Sequence, residues 1–568
     1  MSAPMKKNWT IKKENPKLRE RISKHLGISP LTAQILINRG IGNEAEANLF
    51  LNSTLFDLPS PYLMKGMDKA VERIKRAIAG KEKIAIYGDY DVDGVTSTAL
   101  FYTFLKSLGA DVVFYNPDRM KEGYGVNIEA VKRLAEGGVT LFISGDCGIT
   151  AVKEVGEAKR LGADFIVTDH HKPPEELPDA VSILNPQLSD CKYPGKTIAG
   201  VGVIFNLAVA LRRALREDGF FRQGEPNLAD YLDLVALGTV ADCAPLTDVN
   251  RIFVKEGIKR MENPKRTGLL ALKEASSITG PVNTFDLGFK LGPRINASGR
   301  MSTAGKAVEL FISDDIRSAR DIAKALSREN SERQNIEGEI LAEAVRQIES
   351  EPGILKANSI VLASADWHPG IIGIVASRIV ERYEKPAILI AIGGNGIGKG
   401  SGRSVEGINI YSALSECREL FEQFGGHEQA AGLSIKKENI EEFRAMFEKA
   451  IAGSGHAYVP RLDIDGEVEF QELTDALLTE FGMLEPFGIG NPEPVLIARS
   501  VEVLSQRIFK DKHLGLKLKQ GTKSLDAIWF NAGGVTGLPD RIDLAFTPEF
   551  NKWNGKKDIR LRVLDGSW

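Results

Sequence analysis

Three aspartates alternate along one short segment of the sequence. Asp89, Asp91 and Asp93 follow an apolar run at 83–88 and precede a helix that we predict to begin at Thr96. Carboxylates this close together repel one another unless cations neutralise them. An EF-hand calcium loop has a similar start, but no helix precedes this segment, and Leu100 stands where that loop needs an acid. The spacing therefore predicts a metal site, with a solvated acidic turn as the alternative.

Two further apolar runs end in metal-binding residue types. Asp146 follows the run at 140–145, and Asp169, His170 and His171 follow the run at 164–168. A pair of histidines is by itself more often structural than functional. Because ligand sites of parallel sheets lie at the carboxyl ends of the strands, we expect these side chains to meet the three aspartates at one edge. Many oxygen ligands with one imidazole suit Mg²⁺ or Mn²⁺ better than tetrahedral Zn²⁺.

The elements that must position these residues form a repeating pattern. Continuous apolar runs alternate with helical segments from about residue 65, which predicts an α/β fold with a buried parallel sheet. A long helix, a second smaller α/β unit and short alternating strands typical of an all-β barrel follow. The predicted domains are a helical segment at 1–55, a catalytic domain at 56–307, a connecting helix at 308–350, a substrate-binding domain at 351–455 and a barrel at 458–568. We expect the metal site to be independent of that barrel.

Composition excludes several classes of protein. The 568 residues are 43% hydrophobic and 26% charged, with no apolar run long enough to span a membrane. The four cysteines have no C-x-x-C spacing, and the basic N-terminal segment has no apolar stretch after it, so we expect a cytoplasmic protein without a secretory signal. The net charge is −3, yet residues 251–306 hold 11 Lys and Arg against 4 Asp and Glu. Such a stretch fits a polyanion-binding groove and equally a solvated basic face.

The ordered motifs resemble those of the DHH phosphoesterase superfamily. The matching residues are Asp89-Tyr-Asp91-Val-Asp93-Gly, Asp146-Cys-Gly, Asp169-His170-His171 and the segment that runs from Asp233 to Asp242. The strings DLVALGTVADCAPL and PRINASGR are similar to the RecJ branch. Residues 401–404 and 425–427 resemble the DHHA1 domain, and the terminal segment resembles an oligonucleotide-binding (OB) fold. The resemblance implies a single-stranded-DNA-specific 5′-to-3′ exonuclease that releases mononucleotides in DNA recombination and repair.

The same resemblance implies roles for individual residues. Two Mg²⁺ or Mn²⁺ ions would be bridged by the catalytic Asp146, and His171 would act near the scissile phosphate as hydrogen-bond donor or acid. Asp242 is favoured over Asp233 as a ligand. The implied metal ligands are Asp89, Asp91, Asp93, Asp146, His170 and Asp242. The implied substrate-binding residues are Ser401, Arg403 and Arg119 for the 5′-phosphate, Arg294, Asn296 and Arg300 for the backbone, and Gly426 and His427 in the same cleft.

The resemblance also implies partners, and two other functions compete with it. The expected partners of this monomer are single-stranded DNA, a single-strand-binding protein and a helicase, with no membrane. In the barrel, Lys510, Lys512, Lys556 and Arg560 would supply charge, and Phe509 or Trp553 would offer a stacking surface. A DHH phosphodiesterase or pyrophosphatase acting on small nucleotides would use the same metals but leaves the last 110 or so residues without a task. A replication scaffold with an inactive core predicts lost metal ligands, and none is lost.

Overall fold

The computed structural model describes most of the chain. The described residues are 7–118, 122–123, 125–222, 224–301, 303–453, 460–510, 512–535, 537–553 and 556–568. The predicted α/β fold with a parallel sheet, a second α/β unit and a terminal barrel is confirmed. Among the described helices, none combines the length and the apolar character that a membrane crossing requires.

The first large sheet is parallel and lies in the catalytic half of the chain. Its strands run in the order β3-β2-β4-β5-β6. The chain therefore leaves β2 for one neighbour, β3, and later returns to the other neighbour, β4. Ligands of such sheets bind at this reversal, outside the carboxyl ends of the strands. The strands are β2 (Lys83–Gly88), β3 (Asp111–Tyr115), β4 (Val139–Gly145), β5 (Asp164–Thr168) and β6 (Ser182–Leu184).

Helices cover both faces of this sheet and complete its core. Nearly every side chain of β2 and β4 is buried, as a parallel sheet covered on both faces requires. The helices of this half are α4 (Met67–Gly80), α5 (Val92–Ser107), α6 (Ile128–Glu136), α7 (Val152–Arg160), α8 (Gly200–Glu217), α9 (Leu232–Ala241), α10 (Asp248–Glu262), α11 (Thr267–Ala275), α12 (Gly292–Met301) and α13 (Gly305–Ile312). A π-helical segment, Asp286–Leu291, leads into α12.

A long helix, α14 (Ile316–Ser350), leads to the second sheet. That sheet has the order β10-β11-β9-β8-β7, with only the β7–β8 pair parallel. Its strands are β7 (Ile360–Ser364), β8 (Ala387–Ile392), β9 (Ile397–Arg403), β10 (Phe421–Gly426) and β11 (Ala430–Lys436). The helices around it are α15 (Pro352–Lys356), α16 (Ile372–Tyr383), α17 (Ile410–Glu416) and α18 (Ile440–Gly453).

The terminal sheet closes on itself. Strands β14-β15-β16-β18-β17 form a ring because β14 also pairs with β17, so five strands make a barrel without a free edge. The β16–β18 pair is parallel, whereas the other neighbouring pairs of the ring are antiparallel. The elements are β12 (Arg461–Ile464), β13 (Gly466–Glu467), α19 (Asp475–Met483), β14 (Leu496–Phe509), β15 (His513–Gln520), β16 (Lys523–Trp529), β17 (Arg541–Trp553) and β18 (Lys556–Ser567).

The N-terminal segment differs from the purely helical lead-in that the sequence predicts. It begins with a strand, β1 (Asn8–Ile11), which pairs in parallel with β12, and continues as α1 (Pro16–Leu26), α2 (Pro30–Asn38) and α3 (Glu44–Asn52). Ile22, Ile35 and Leu36 belong to the same hydrophobic core as Phe470 and Leu544 of the barrel region. The two ends of the chain therefore fold as one unit, because each covers apolar surface that the other would expose.

Candidate metal centre and adjoining cleft

The alternating aspartates lie in a tight turn between β2 and α5. The helix begins at Val92 rather than at Thr96, because Asp91 caps it by accepting the N–H of Gly94 at 3.0 Å. Asp93 consequently lies in the first helical turn. Position 94 requires glycine, since a Cβ there would lie 2.5 Å from the carbonyl oxygen of Asp89. The turn thus brings three carboxylates to the carboxyl end of β2.

Asp93 is held by the start of another helix. Its two carboxylate oxygens accept the backbone N–H groups of Gly200 at 2.6 Å and Val201 at 2.8 Å, at the N-terminus of α8. Unpaired N–H groups and the helix dipole both favour a negative charge there. Burial and the neighbouring Asp91 nevertheless raise the pKa of Asp93 to about 7. These donors only partly compensate the buried charge.

Asp146 lies at the centre of the cluster, directly after β4. It is 2% exposed and adopts a left-handed backbone conformation with φ of +65°. A non-glycine residue in this region stores strain, which is typical of functional positions. Gly200 leaves it room, because a Cβ at 200 would lie 2.7 Å from the Cβ of Asp146. Burial and Asp93 raise the pKa of Asp146 well above its ordinary value.

The histidine after β5 completes the inner part of the cluster. His170 Nε2 lies 3.0 Å from Asp146 Oδ1 and 3.8 Å from both Asp93 Oδ2 and Asp242 Oδ2. Burial and the adjacent His171 lower the pKa of His170 to about 4, which keeps its imidazole neutral. A neutral imidazole offers a lone pair, as metal binding requires.

His171 has a different environment from its neighbour. Its Nδ1 lies 2.7 Å from Asp169 Oδ1, and this hydrogen bond raises the pKa of His171 to about 9. Asp169 also accepts the N–H groups of Ile149 at 2.9 Å and His170 at 2.7 Å. The sequence prediction gave Asp169 no role, although its place directly after a buried strand signalled one. It fixes the loop and orients His171.

Asp242 joins the cluster as the residue that ends α9, directly after Ala241, whereas Asp233 does not. Burial and Asp93 raise the pKa of Asp242 to about 9. Asp233 lies at the other end of the same helix, where it accepts a hydrogen bond from Arg266 Nε at 3.1 Å. The structure therefore brings Asp242, the residue favoured from the sequence, to the other carboxylates.

The arrangement fits divalent cations. Among the described residues, three groups of three side chains each hold their ligand atoms within 4.8 Å of one another. The groups are Asp89, Asp91 and Asp146; Asp93, His170 and Asp242; and Asp146, His170 and His171. Three buried atoms of the cluster, Asp89 Oδ1, Asp146 Oδ1 and His170 Nε2, have no hydrogen-bond partner within the described part of the chain. Burial, and after it the neighbouring carboxylates, raise the pKa of Asp89, Asp93, Asp146 and Asp242, so these charges are costly to bring together without cations. Oxygen donors with one or two imidazoles match Mg²⁺ and Mn²⁺.

A cleft of about 1120 Å³ opens between the aspartate turn and the second sheet. Tyr90 lines the cleft from the turn and Arg300 from α12. Ser401, Arg403 and Gly426 line it from the second sheet. The guanidinium of Arg403 donates to Ser401 Oγ at 3.3 Å and to the carbonyl of Gly402 at 2.8 Å, and that of Arg300 donates to the carbonyl of Gly370 at 2.9 Å. The sequence prediction missed the cleft residues Tyr90, Lys399 and Arg418.

Other predicted substrate residues lie elsewhere or bond to the protein itself. The side chain of Asn296 accepts the N–H of Val92 at 3.1 Å, which fixes the start of α5. Arg294 donates to the carbonyl of Lys290 at 2.6 Å and to Ser327 Oγ at 3.1 Å. His427 is exposed in the turn between β10 and β11 and is not among the residues that line the cleft. Arg119 lies outside the described residues.

Comparison with protein families gives three matches along the chain. They are the DHH family, N-terminal domain, at residues 83–239, the DHHA1 domain at 356–453, and the RecJ OB domain at 464–565. The metal cluster draws most of its residues from the first of these regions. The cleft lies between the first and the second.

Relatives align over nearly the whole chain. It is 39% identical to the single-stranded-DNA-specific exonuclease RecJ of Bacillus subtilis strain 168, over 99% of this chain and 71% of that protein. Against the same exonuclease of Escherichia coli K12 it is 36% identical, over 95% of this chain and 96% of that one. The crystal structure of RecJ from Thermus thermophilus in complex with Mn²⁺ matches with a TM-score of 0.85 at 31% identity, over 99% of this chain and 79% of that one. The chain belongs to the RecJ family of single-stranded-DNA-specific exonucleases.

Proposed function

We propose that this protein hydrolyses single-stranded DNA from its 5′ end and releases mononucleotides, using two Mg²⁺ or Mn²⁺ ions. The ligands of the two ions are Asp89, Asp91, Asp93, Asp146, His170 and Asp242. The observation that carries the proposal is the overlap of the ligand sets at Asp146 and His170, whose buried Oδ1 and Nε2 atoms form no hydrogen bond with any described residue. A carboxylate shared between two such sets suits a pair of ions. The RecJ of Thermus thermophilus has been crystallised with Mn²⁺ and with Mg²⁺.

The protein groups have separate tasks in this hydrolysis. When bound, two divalent cations supply an activated water and stabilise both the attacking and the leaving oxygens. His171, protonated through its hydrogen bond to Asp169, donates a hydrogen bond or a proton at the scissile phosphate from Nε2. Its side chain is 57% exposed, so it can reach a substrate.

The polarity of degradation is set in the cleft. Ser401 and Arg403 lie in it on β9, and Arg300 lines it from α12. We propose that Ser401 and Arg403 bind the 5′-terminal phosphate, because a guanidinium with neighbouring hydroxyl and N–H donors matches a phosphate dianion. Arg300 would hold the backbone of the strand. Tyr90 lines the same cleft and directly precedes Asp91 in the sequence, so a phosphate bound there lies near the metal cluster.

One degradation assay tests this function. The protein is incubated in Mn²⁺ with a 5′-labelled single strand, the matching blunt duplex and a cyclic dinucleotide. We expect early release of the labelled mononucleotide from the single strand and little product from the other two. Turnover of the cyclic dinucleotide alone would show instead a phosphodiesterase acting on small nucleotides.

The cellular role follows from the family resemblance and is part of the same proposal. We propose that the protein acts as a cytoplasmic monomer in recombination and repair, with a single-strand-binding protein and a helicase as partners. Co-sedimentation of the purified protein with each partner tests the two interactions, and sedimentation velocity tests the monomer.

A further inference from the structure

The chain between α19 and β14 contacts the residues that follow Asp242. We call residues 483–492 the neck, because they lead from the end of α19 towards β14, the first long strand of the barrel. The N–H of Leu246 donates to the carbonyl of Ile489 at 2.7 Å. Gly490 has a φ of +76°, and a Cβ at this position would lie 3.2 Å from both Pro245 Cβ and Thr247 Cγ2. The neck and the turn at 243–247 therefore pack closely, backbone against backbone.

That turn is the immediate continuation of the helix that carries Asp242. The N–H of Cys243 donates to the carbonyl of Val240, and the N–H of Ala244 donates to the carbonyl of Thr239, both at 3.2 Å. Cys243 has a left-handed φ of +62°. These bonds leave little freedom between Asp242 and Leu246, so a displacement at one end of the turn reaches the other.

Two further contacts hold the neck from the other sides of the turn. Arg251, on α10, is 1% exposed and donates to the carbonyls of Leu484 at 2.8 Å, Met483 at 3.0 Å and Phe50 at 2.8 Å. Thr284 Oγ1 donates to the carbonyl of Phe487 at 2.8 Å. Thr284 precedes the π-helical segment, where Gly288 lies against the end of α9, since a Cβ there would be 3.8 Å from Val240 Cγ1. The neck is thus bonded to α10, which follows the turn, and to the residue that leads into the π-helical segment, which packs against the end of α9.

We propose that the neck is a positioning element for Asp242, so that the segment leading into the barrel sets the affinity of the site for metal ions. The inference rests on the proposed function, because it takes Asp242 as a metal ligand. Asp242 Oδ2 lies 3.8 Å from His170 Nε2, and a metal site works only when its ligands are held within about 0.5 Å of their places. Groups that orient ligands typically change metal affinity about 10- to 100-fold when they are altered.

The test compares two glycines with the same backbone strain. Gly490 and Gly537 both have a left-handed φ, +76° and +68°, but a Cβ at 537 would meet none of the described atoms within 4 Å. In the full-length protein, Gly490→Ala should weaken Mn²⁺ binding, measured by calorimetry without DNA, about tenfold. Gly537→Ala should bind Mn²⁺ like the unaltered protein. The thermal stabilisation by Mn²⁺ should shrink in the first variant only.

A second variant covers the case in which Gly490→Ala does not fold. Thr284→Val keeps the shape of the side chain, removes the hydrogen bond to Phe487 and should weaken Mn²⁺ binding at least about twofold, in the same direction. Mn²⁺ affinity equal to that of the unaltered protein in Gly490→Ala, or in Thr284→Val where Gly490→Ala does not fold, would overturn the role of the neck. An unaltered protein that binds no Mn²⁺ would overturn the proposed function, and this inference with it.

Discussion

The imidazole Nδ1 of His171 lies 2.7 Å from the carboxylate Oδ1 of Asp169. The same carboxylate accepts the N–H of Ile149 and so ties the loop after β5 to the loop after β4. The hydrogen bond to Asp169 raises the pKa of His171 to about 9, whereas burial lowers the pKa of His170 to about 4, so the two neighbouring histidines differ in protonation state at neutral pH. One ring is therefore suited to bind a cation and the other to donate to an anion.

Asp169→Asn should return the pKa of His171 from about 9 towards the ordinary value of about 6.5. Because the pKa in the folded protein is raised, the protonated ring stabilises the fold fully below about pH 6.5. That contribution is lost as the pH rises through about 9. Nuclear magnetic resonance of the histidine rings in the metal-free protein measures the change, with His368 as internal reference. An unchanged titration of His171 would show that Asp169 does not set its pKa.

Asp91→Ala and Asp146→Ala should each lower hydrolysis by at least about 10³-fold, because each removes a metal ligand. Asp242→Asn tests the ligand at the C-terminal cap of α9, and Asp233 at the other end of that helix offers a matched control. Asp233→Asn should lower the melting temperature, since it weakens a buried ion pair with Arg266, yet leave the Mn²⁺ dissociation constant unchanged. Near-normal turnover of Asp146→Ala in Mg²⁺ or Mn²⁺ would contradict the two-metal assignment.

The sequence predicts much of the metal centre because parallel strands impose a simple rule. Each buried strand appears as an apolar run, and the first residues after it must lie at the carboxyl edge. Asp89, Asp146 and His170 follow directly from that rule. The predicted start of α5 at Thr96 is wrong. Asp93 and Gly94 look like turn residues, but Asp91, which precedes them, already caps the helix.

Long-range contacts account for what the sequence does not predict. The basic stretch at 251–306 suggests a groove, yet Arg251 and Lys273 are buried and bind backbone carbonyls. The terminal segment appears separable in the sequence, whereas its core includes Ile35 and Leu36 of the N-terminal helices, and its neck holds the turn after Asp242. No local pattern indicates contacts between residues more than 200 positions apart. The expected independence of the metal site from the barrel stays a prediction, and the variants of the neck test it.

Arg403→Ala should remove the preference for 5′-phosphorylated over 5′-hydroxyl strands. A charge-assisted hydrogen bond contributes roughly 1.5–3 kcal/mol, so the preference should fall by about ten- to a hundredfold. Competition between the two strands in one reaction measures it. Arg382→Ala is the matched control, because this arginine lies on α16, pairs with Glu349 and is not among the residues that line the cleft. A preference that survives in Arg403→Ala would place the terminal phosphate elsewhere.

The barrel should contribute to strand binding through charge and through stacking, and the two contributions can be separated. Lys510 and Lys512 are exposed on the hairpin between β14 and β15. The rings of Phe509, His513 and Phe530 lie beside it, with centroids 5.4 and 5.2 Å apart in succession. Exposed cations next to aromatic rings are typical of single-strand-binding surfaces.

Lys510→Gln with Lys512→Gln should weaken binding of a long single strand and flatten its salt dependence, because each lost phosphate contact removes about 0.7 from the log–log slope. Phe530→Ala, whose ring is 46% exposed, should weaken binding with the slope unchanged, since stacking releases no counterions. Fluorescence anisotropy without divalent metal, over a range of salt, measures both. Lys24→Gln on α1 is the control for a lost surface charge, because Lys24 pairs with Glu20 on its own helix. If the double variant kept both the affinity and the slope of the unaltered protein, this face of the barrel would not bind DNA, and a partner protein would be the better candidate for it.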